Sequence, residues 1–383
     1  MNKITNNEIK RTNRNNVFSA IYHARQTSKQ QLAKTLQLSM PTITQNLKEL
    51  EALNLIRKDG FYESSASGGR KAQIIRCNET ARISVGVEVL KKRAYIIAVD
   101  LYGTPLKQDT LKLPFQNNEL YFCALGNWIN SFIASLPYDK ENILGVGIAI
   151  QGLISPDRST VLFGELMDCT GLYLEEFARF INWPCIFIHD SEAAAFAEIW
   201  LASTTSALND SLFIWLNHNF GAALVINGKI HQGIGSLSGT LEHMTLILNG
   251  RKCYCGRSGC VEAYCSVDAL EEIAGEQLES FFPKLRNQDK RCVEIWHQYL
   301  HYLAMTLNNT VRVIDCDLIF SGALRPYLTP DDLELLRQYM KELSSFPFYK
   351  PRLRMGVSDQ YAAVVGASLY QIIDFLDNDS VFR

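Results

Sequence analysis

Short apolar strands that carry glycine alternate with long helical segments from residue 80 onward, and this alternation constrains the fold more than any other feature. The apolar runs predict strands at residues 84–89, 95–101, 144–150, 185–188, 212–216, 222–226 and 318–320. Helical spacing predicts helices at residues 120–136, 192–201, 292–313 and 331–343. Strands that alternate with helices over such a length indicate an α/β fold with more than one lobe.

The residues before this region form a separate, basic segment. The first 75 residues hold twelve Lys and Arg against five Asp and Glu, although the whole chain has a formal net charge of −2. Apolar spacing predicts helices at residues 16–25, 29–36 and 40–53, and Ser39 can cap the third. Predicted strands at residues 55–59 and 73–77 flank a glycine-bearing tip at residues 65–71. This order of elements predicts a winged helix-turn-helix.

A winged helix of this charge predicts binding to double-stranded operator DNA. The third helix would enter the major groove, and the wing would reach the DNA backbone or the minor groove. The predicted contact residues are Thr42, Thr44, Gln45 and Lys48 on the helix and Arg70 and Lys71 on the wing. The alternative is a winged helix that contacts proteins, with its charges only solvated.

One stretch, HMTLILNGRKCYCGRSGC, has the composition of a metal site. Its ligand-type residues are His243, Cys253, Cys255 and Cys260. One imidazole and three thiolates are a normal tetrahedral set for structural zinc, and Gly256 and Gly259 allow a tight loop around the ion. We therefore predict one zinc ion per chain; the alternative is a group of reduced, buried thiols beside an unrelated histidine.

The segment GTLEHMTLILNGRKCYCGRSGCVEAYCS resembles the zinc signature of the ROK family of repressors, uncharacterised reading frames and sugar kinases. Further stretches agree in order: SASGGRKAQ, GVGIAIQGLIS, IHDSEAAAFAEIW, NHNFGAALVINGKIHQG, IFSGAL and AAVVGASLY. The resemblance implies a two-lobed, actin-like body of the ribonuclease H-like, sugar-kinase type, with ligand in the cleft. It also implies a homodimer or a dimer of dimers.

The resemblance divides the chain into three parts. Residues 1–78 would form the winged helix-turn-helix, and residues 79–190 the first lobe, completed by a C-terminal helix at 360–383. Residues 191–359 would form the second lobe with the zinc-binding loop.

The phosphate-binding glycines of the family's kinases are missing. Residues 88–92 read EVLKK where those kinases have a glycine-rich turn, and residues 217–221 read NHNFG where they have a second one. Side chains in place of these glycines hinder a close approach of backbone to phosphate. We therefore expect a protein that is not an enzyme.

The resemblance also assigns a sugar site. Asp190 and Glu262 match family residues that accept hydrogen bonds from sugar hydroxyls, and the zinc ligand His243 would contact the same ligand. Gly152 is retained, whereas His189 and Thr240 replace family residues at ligand-contacting positions, and Glu242 replaces a glycine. The alternative roles are helix capping for Asp190 and an ordinary first-turn helix acid for Glu262.

These observations predict a sugar-responsive DNA-binding regulator, most simply a repressor of carbohydrate-utilisation genes. No apolar run has the roughly 18 residues that a membrane helix needs, so we expect a cytoplasmic protein without a membrane partner. Two alternatives stay open: a sugar kinase with an appended DNA-binding domain, and a regulator controlled by a partner protein.

Overall fold

Three helices and a two-stranded sheet form an N-terminal module in this computed structural model, which describes residues 6–63, 71–202 and 209–377. The helices are α1 (Asn6–Ala24), α2 (Lys29–Leu36) and α3 (Met40–Ala52), and the antiparallel strands are β1 (Ile56–Phe61) and β2 (Gln73–Cys77). The Oγ atoms of Ser28 and Ser39 accept hydrogen bonds from the first turns of α2 and α3. Gln37, at φ 54°, ends α2 in the left-handed conformation that glycine often supplies.

The first helix is longer than the sequence pattern predicts. It begins at Asn6, not at residue 16, so the predicted start is wrong. The added turns have no apolar periodicity, and they contain Glu, Lys and Arg, which favour helix even on an exposed surface. Arg14 in this extension forms an ion pair with Glu49 of α3 at 3.2 Å, which ties the extra turns to the module.

The first lobe contains a five-stranded sheet in the order β5-β4-β3-β6-β9. Its strands are β3 (Ile83–Leu90), β4 (Arg93–Val99), β5 (Pro105–Leu111), β6 (Ile143–Ile150) and β9 (Cys185–His189). Helices α4 (Glu119–Ala134) and α5 (Leu174–Ala178) share a hydrophobic core with this sheet, and β7 (Leu153–Ile154) pairs with β8 (Val161–Phe163) beside it. Strands β3, β6 and β9 are parallel, as expected for an α/β lobe.

The second lobe contains another five-stranded sheet, in the order β12-β11-β10-β13-β14. Its strands are β10 (Ser211–Leu216), β11 (Phe220–Ile226), β12 (Lys229–Ile230), β13 (Asp317–Ser321) and β14 (Leu353–Met355). The accompanying helices are α7 (Glu262–Cys265), α8 (Val267–Ala274), α9 (Leu278–Arg286), α10 (Lys290–Val311) and α11 (Pro330–Glu342). Trp296 and Leu300 of α10 are buried in the core that these helices share with the sheet.

Two helices, α6 (Asp190–Ala202) and α12 (Ala362–Asp377), lie against each other between the lobes. Helix α12 also packs on β3 and β6, so the end of the chain returns to the first lobe. These contacts are so close that only glycine fits. A Cβ at Gly86 would lie 2.0 Å from the Val364 carbonyl oxygen, and one at Gly366 would lie 1.7 Å from that of Ala193.

Within the described ranges, no helix is both long enough and apolar enough to cross a membrane.

Candidate functional site

A cavity of about 300 Å³ lies between the two lobes. Five residues that the sequence predicted as ligand contacts line it: Gly152, His189, Asp190, Thr240 and His243. They come from the β6–β7 turn, the junction of β9 and α6, and the irregular loop after β12. Gly152 is required here because a Cβ would lie 2.7 Å from the Phe163 carbonyl oxygen of β8. The volume is of the size that small-molecule ligands occupy.

Asp190 is the first residue of α6 and lies at the wall of the cavity. Its Oδ1 accepts a hydrogen bond from the Ser191 backbone nitrogen at 2.7 Å and lies 3.4 Å from His189 Nε2. Burial raises the pKa of the Asp190 carboxyl, and the nearby His189 opposes that shift. The side chain thus bonds to the first turn of the helix and also lies at the cavity wall.

Glu262 is not among the residues that line this cavity. It begins α7, and its carboxylate accepts hydrogen bonds from Asn219 Nδ2 at 2.9 Å and from the Phe220 backbone nitrogen at 2.7 Å. Burial raises the pKa of Glu262 to about 7. Both carboxylate oxygens therefore bond to the β10–β11 turn. Asn219 of that turn lines the cavity.

Several cavity residues were not predicted as ligand contacts. Glu242 lies at the wall with only 9% of its surface exposed, and burial raises its pKa to about 7. Trp215, Asn219 and Tyr254 also line the cavity. Glu242 and Tyr254 stand directly beside predicted metal ligands in the sequence, and Glu242 was also noted there as a replacement for a family glycine.

The four predicted metal ligands, His243, Cys253, Cys255 and Cys260, lie together, with their ligand atoms all within 4.8 Å of one another. The Sγ atoms of Cys255 and Cys260 are 3.7 Å apart, and so are Cys253 Sγ and His243 Nδ1. A tetrahedral ion with bonds of about 2.3 Å to sulfur has ligand-to-ligand edges of about 3.8 Å. The donor set and its spacing therefore fit a tetrahedral metal ion.

The loop geometry explains this convergence. Gly256 and Gly259 have φ values of 83° and 85°, which glycine adopts without strain. A Cβ at Gly259 would also lie 1.8 Å from the Ile247 carbonyl oxygen. The chain can therefore turn back tightly enough to bring Cys260 beside Cys255.

His243 belongs to both the cluster and the cavity. Its Nδ1 faces Cys253, while its Nε2 lies 3.3 Å from the Tyr254 hydroxyl. A metal bound at Nδ1 leaves Nε2 protonated, so that this nitrogen donates a hydrogen bond. A metal bound to the cluster would thus fix the orientation of His243 in the cavity wall.

On the N-terminal module, the exposed face of α3 carries Gln45 and Lys48, while Thr42 and Thr44 are half-buried. The Thr42 hydroxyl lies 2.8 Å from Ser39 Oγ in the helix cap, and Gln45 Nε2 donates to Glu49. Lys71 is exposed at the start of the return segment to β2, and Arg70 lies outside the described residues.

Aromatic residues join this module to the body. The ring of Tyr22 in α1 stacks on Tyr102 in the β4–β5 turn, with centroids 4.7 Å apart, and its hydroxyl donates to the Leu101 carbonyl at 2.7 Å. The Arg25 guanidinium lies 3.5 Å from the centroid of the Tyr102 ring. Trp200 of α6 donates its indole N–H to the Tyr102 carbonyl at 2.9 Å.

Two five-stranded sheets flank a ligand-sized cavity, and His243 of the Cys/His cluster lies in its wall. Together with the N-terminal winged helix-turn-helix, these features define a two-lobed α/β protein with an appended module. The ROK family model matches residues 84–371. The chain belongs to the ROK family.

Relatives with assigned names include repressors. The xylose repressor of Bacillus spizizenii is 26% identical over 263 residues, which cover 68% of this chain and 67% of the relative. A crystal structure of a ROK family transcriptional regulator, a homolog of the E. coli MLC protein, is 21% identical with a TM-score of 0.77. It covers 96% of this chain and 98% of its own.

Kinases share the body. A ROK family glucokinase from Streptomyces griseus is 20% identical with a TM-score of 0.64, over 75% of this chain and 98% of its own. These structural matches confirm the predicted fold: α/β, with an N-terminal winged helix-turn-helix followed by a two-lobed actin-like body.

Proposed function

We propose that this chain is a sequence-specific DNA-binding transcriptional repressor of carbohydrate-utilisation genes, controlled by a sugar or sugar derivative in the cleft. The named xylose repressor among its relatives supports this function. So does α3, whose exposed Gln45 and Lys48 lie on the face that would enter a major groove.

The observation that carries the proposal is the position of α6. The helix begins with Asp190 at the cavity wall, and Trp200 near its other end contacts Tyr102. Tyr102 in turn stacks on Tyr22 of the DNA-binding module. A ligand that prefers one arrangement of the lobes would move this helix and thereby bias the position of the module.

We further propose that the chain is not an enzyme. The glucokinase fold likeness favours a sugar kinase as the second candidate. Against it, the backbone N–H of Phe220 donates to the Glu262 carboxylate at 2.7 Å, in the turn where the family's kinases have a glycine-rich block. An N–H already bound to a carboxylate is a poor partner for phosphate.

The metal of the Cys/His cluster would be one structural zinc ion per chain, held by His243, Cys253, Cys255 and Cys260. Three thiolates and one imidazole are a usual structural zinc set. The ion would supply no reaction step; it would hold the loop and orient His243. Elemental analysis of the purified chain tests this, and a stoichiometry near zero would overturn it.

We propose residues 1–78 as the DNA-binding domain, 79–190 with 360–383 as the first lobe, and 191–359 as the second. We also propose a homodimer or a dimer of dimers, because two recognition helices about 34 Å apart can read a pair of half-sites. Thr42, Thr44, Arg70 and Lys71 remain proposed DNA contacts, beside Gln45 and Lys48. Sedimentation analysis tests the assembly.

The test of the proposed function measures the affinity of the full chain for operator DNA, selected from random-sequence DNA, with and without monosaccharides. Wild type should release DNA with at least one sugar. Asp190→Asn should bind DNA normally and ignore that sugar, because it loses an ionised acceptor. Asp139→Asn, an exposed control at a site remote from the cavity wall, should behave as wild type.

Absence of selected DNA would overturn the DNA-binding function. DNA binding that no sugar alters would overturn the sugar control and favour a regulating partner protein. Asp190→Asn that still releases DNA at the wild-type sugar concentration would remove Asp190 from the sensor.

A further inference from the structure

The walls of the cavity have an unusual balance of charge for a site that would take a sugar. Three acidic residues line it, Glu165, Asp190 and Glu242. No Lys or Arg stands among the described residues that line it. Its remaining ionisable side chains are Tyr254, His189 and His243, and the last is a proposed metal ligand. A negatively charged ligand would therefore meet carboxylates without a permanent counter-charge.

The Arg and Lys side chains that the structure describes near the cavity do not line it. Arg158 Nη2 contacts Glu192 Oε1 at 2.8 Å, and its guanidinium lies 4.4 Å from the centroid of the Tyr370 ring. Arg251 and Lys252 line the adjoining cleft, which shares three lining residues with this cavity. The Arg251 guanidinium lies 4.9 Å from the centroid of the Tyr264 ring. Phosphate recognition normally uses Arg or Lys, or backbone N–H groups at a helix start. At the start of α6, the Ser191 N–H is already bonded to Asp190.

Glu242 is the acidic residue of the cavity wall whose burial without a full set of hydrogen bonds calls for an explanation. Only 9% of it is exposed, and its Oε2 is fully buried without a hydrogen-bond partner among the residues that the structure describes. Buried carboxylate oxygens are ordinarily hydrogen-bonded, because desolvation without a partner is costly. Since Glu242 also lines the cavity, a ligand there that donates a hydrogen bond to its carboxyl group would offset part of the desolvation cost.

We infer that the cavity takes a sugar that bears no phosphate or other anionic group, and that Glu242 is a specificity residue that accepts one of its O–H or N–H groups. The inference rests on the proposed function in taking the ligand to be a sugar. A hydroxyl and a protonated amine share the required donor chemistry. A phosphorylated sugar lacks a Lys or Arg partner among the described residues that line this cavity.

Calorimetric titration of the full chain, without DNA, tests the inference. The probes are D-xylose, D-glucose, D-glucosamine, glucose 6-phosphate and glucosamine 6-phosphate. At least one unphosphorylated sugar should bind, and a hexose that binds should do so at least about 100-fold more tightly than its phosphate. Glu242→Gln has the same size but a weaker hydrogen-bond acceptor. It should lower the affinity for the unphosphorylated sugar and so reduce that preference at least about tenfold.

Glu294→Gln, on the exposed face of α10, makes the same change of charge and should leave both affinities unchanged. Melting temperatures show whether each variant is folded. If glucosamine binds more tightly than glucose, and Glu242→Gln removes the difference, the group that donates a hydrogen bond to Glu242 is an amine. Equal affinities that fall together in the variant identify a hydroxyl.

A sugar phosphate that binds as tightly as its parent, a folded Glu242→Gln with wild-type affinities, or no binding by any probe would each overturn the inference. These outcomes are separate from the operator test. A chain that binds DNA but prefers a sugar phosphate refutes this inference alone, and one with the expected sugar preference but no DNA binding refutes the proposed function alone.

Discussion

The contact between Tyr102 and the N-terminal module gives a prediction whose size follows from the structure. In Tyr102→Leu, the body keeps the Trp200 hydrogen bond because the Tyr102 carbonyl accepts it. The variant loses the stacking on Tyr22, the Arg25 contact and the hydroxyl bond to the Tyr22 carbonyl at 3.2 Å. Each such contact is worth about 1 kcal/mol, so docking of the module should weaken by about 3 kcal/mol.

A loss of about 3 kcal/mol corresponds to a change of about 150-fold in the docking equilibrium. Hydrogen exchange followed by mass spectrometry measures this, because peptides of α1 around Phe18 and Tyr22 exchange faster when the module undocks. Peptides of β6, whose Ile148 and Ile150 are buried in the first lobe, should keep their wild-type protection. In the operator assay, the variant should bind DNA but respond little to sugar, since undocking breaks the link to α6.

Phe348→Leu is the control, since Phe348 is 78% exposed on the second lobe and its substitution should change neither measurement. Wild-type protection of α1 in Tyr102→Leu would refute the reasoning, because it would mean that these aromatic contacts do not hold the module. Faster exchange in both α1 and β6 would instead show general destabilisation, which also contradicts a local docking role.

Three further predictions concern a buried acid, the cluster and the DNA interface. Burial raises the pKa of Glu88 to about 8 from its usual value of about 4.5; Asp190 adds to the shift, and Arg93 opposes it. The folded state therefore holds the Glu88 proton more tightly than the unfolded chain does. The stability that this proton contributes to the fold is present at acid pH and is lost as pH rises to about 8. In urea titrations, Glu88→Gln should therefore have a larger free energy of unfolding than wild type at about pH 9 and the same free energy near pH 5. The difference should grow by up to about 1.4 kcal/mol for each pH unit between, and parallel pH profiles would contradict this. Cys255→Ser should lose bound metal and melt at a lower temperature, whereas Cys123→Ser, outside the cluster, should retain both, and equal metal content in the two variants would exclude Cys255 as a ligand. Lys48→Ala should weaken DNA binding and lower the salt slope by about 0.9, while the exposed Lys341→Ala should not; unchanged slopes would place α3 outside the interface.

Local chemistry determined much of this protein in advance. The Cys/His spacing brought four ligand atoms together because the glycines that close the loop lie within the same few residues. The start of α3 followed from Ser39 and its capping bond to Thr42. The alternation of strands and helices indicated the α/β body, since such strands can bury both faces only between helices.

Contacts between distant segments could not be predicted from local sequence patterns. The resemblance placed Glu262 at the sugar, yet its carboxylate holds Asn219 and Phe220, because the course of the β10–β11 turn brings those donors to it. Glu242 looked like a departure from a pattern, and only the closure of the two lobes shows it as a buried acceptor at the cavity wall.

The sequence by itself predicted the long helices and buried strands of the body and the grouping of His243 with three cysteines, because these depend on neighbours a few residues apart. Only the tertiary structure decided that α6 runs from Asp190 at the cavity to Trp200 beside Tyr102. It also decided that the module docks through Tyr22, which lies 80 positions from its partner Tyr102. Such contacts depend on how whole elements pack, and no local spacing specifies which aromatic faces will meet across two domains.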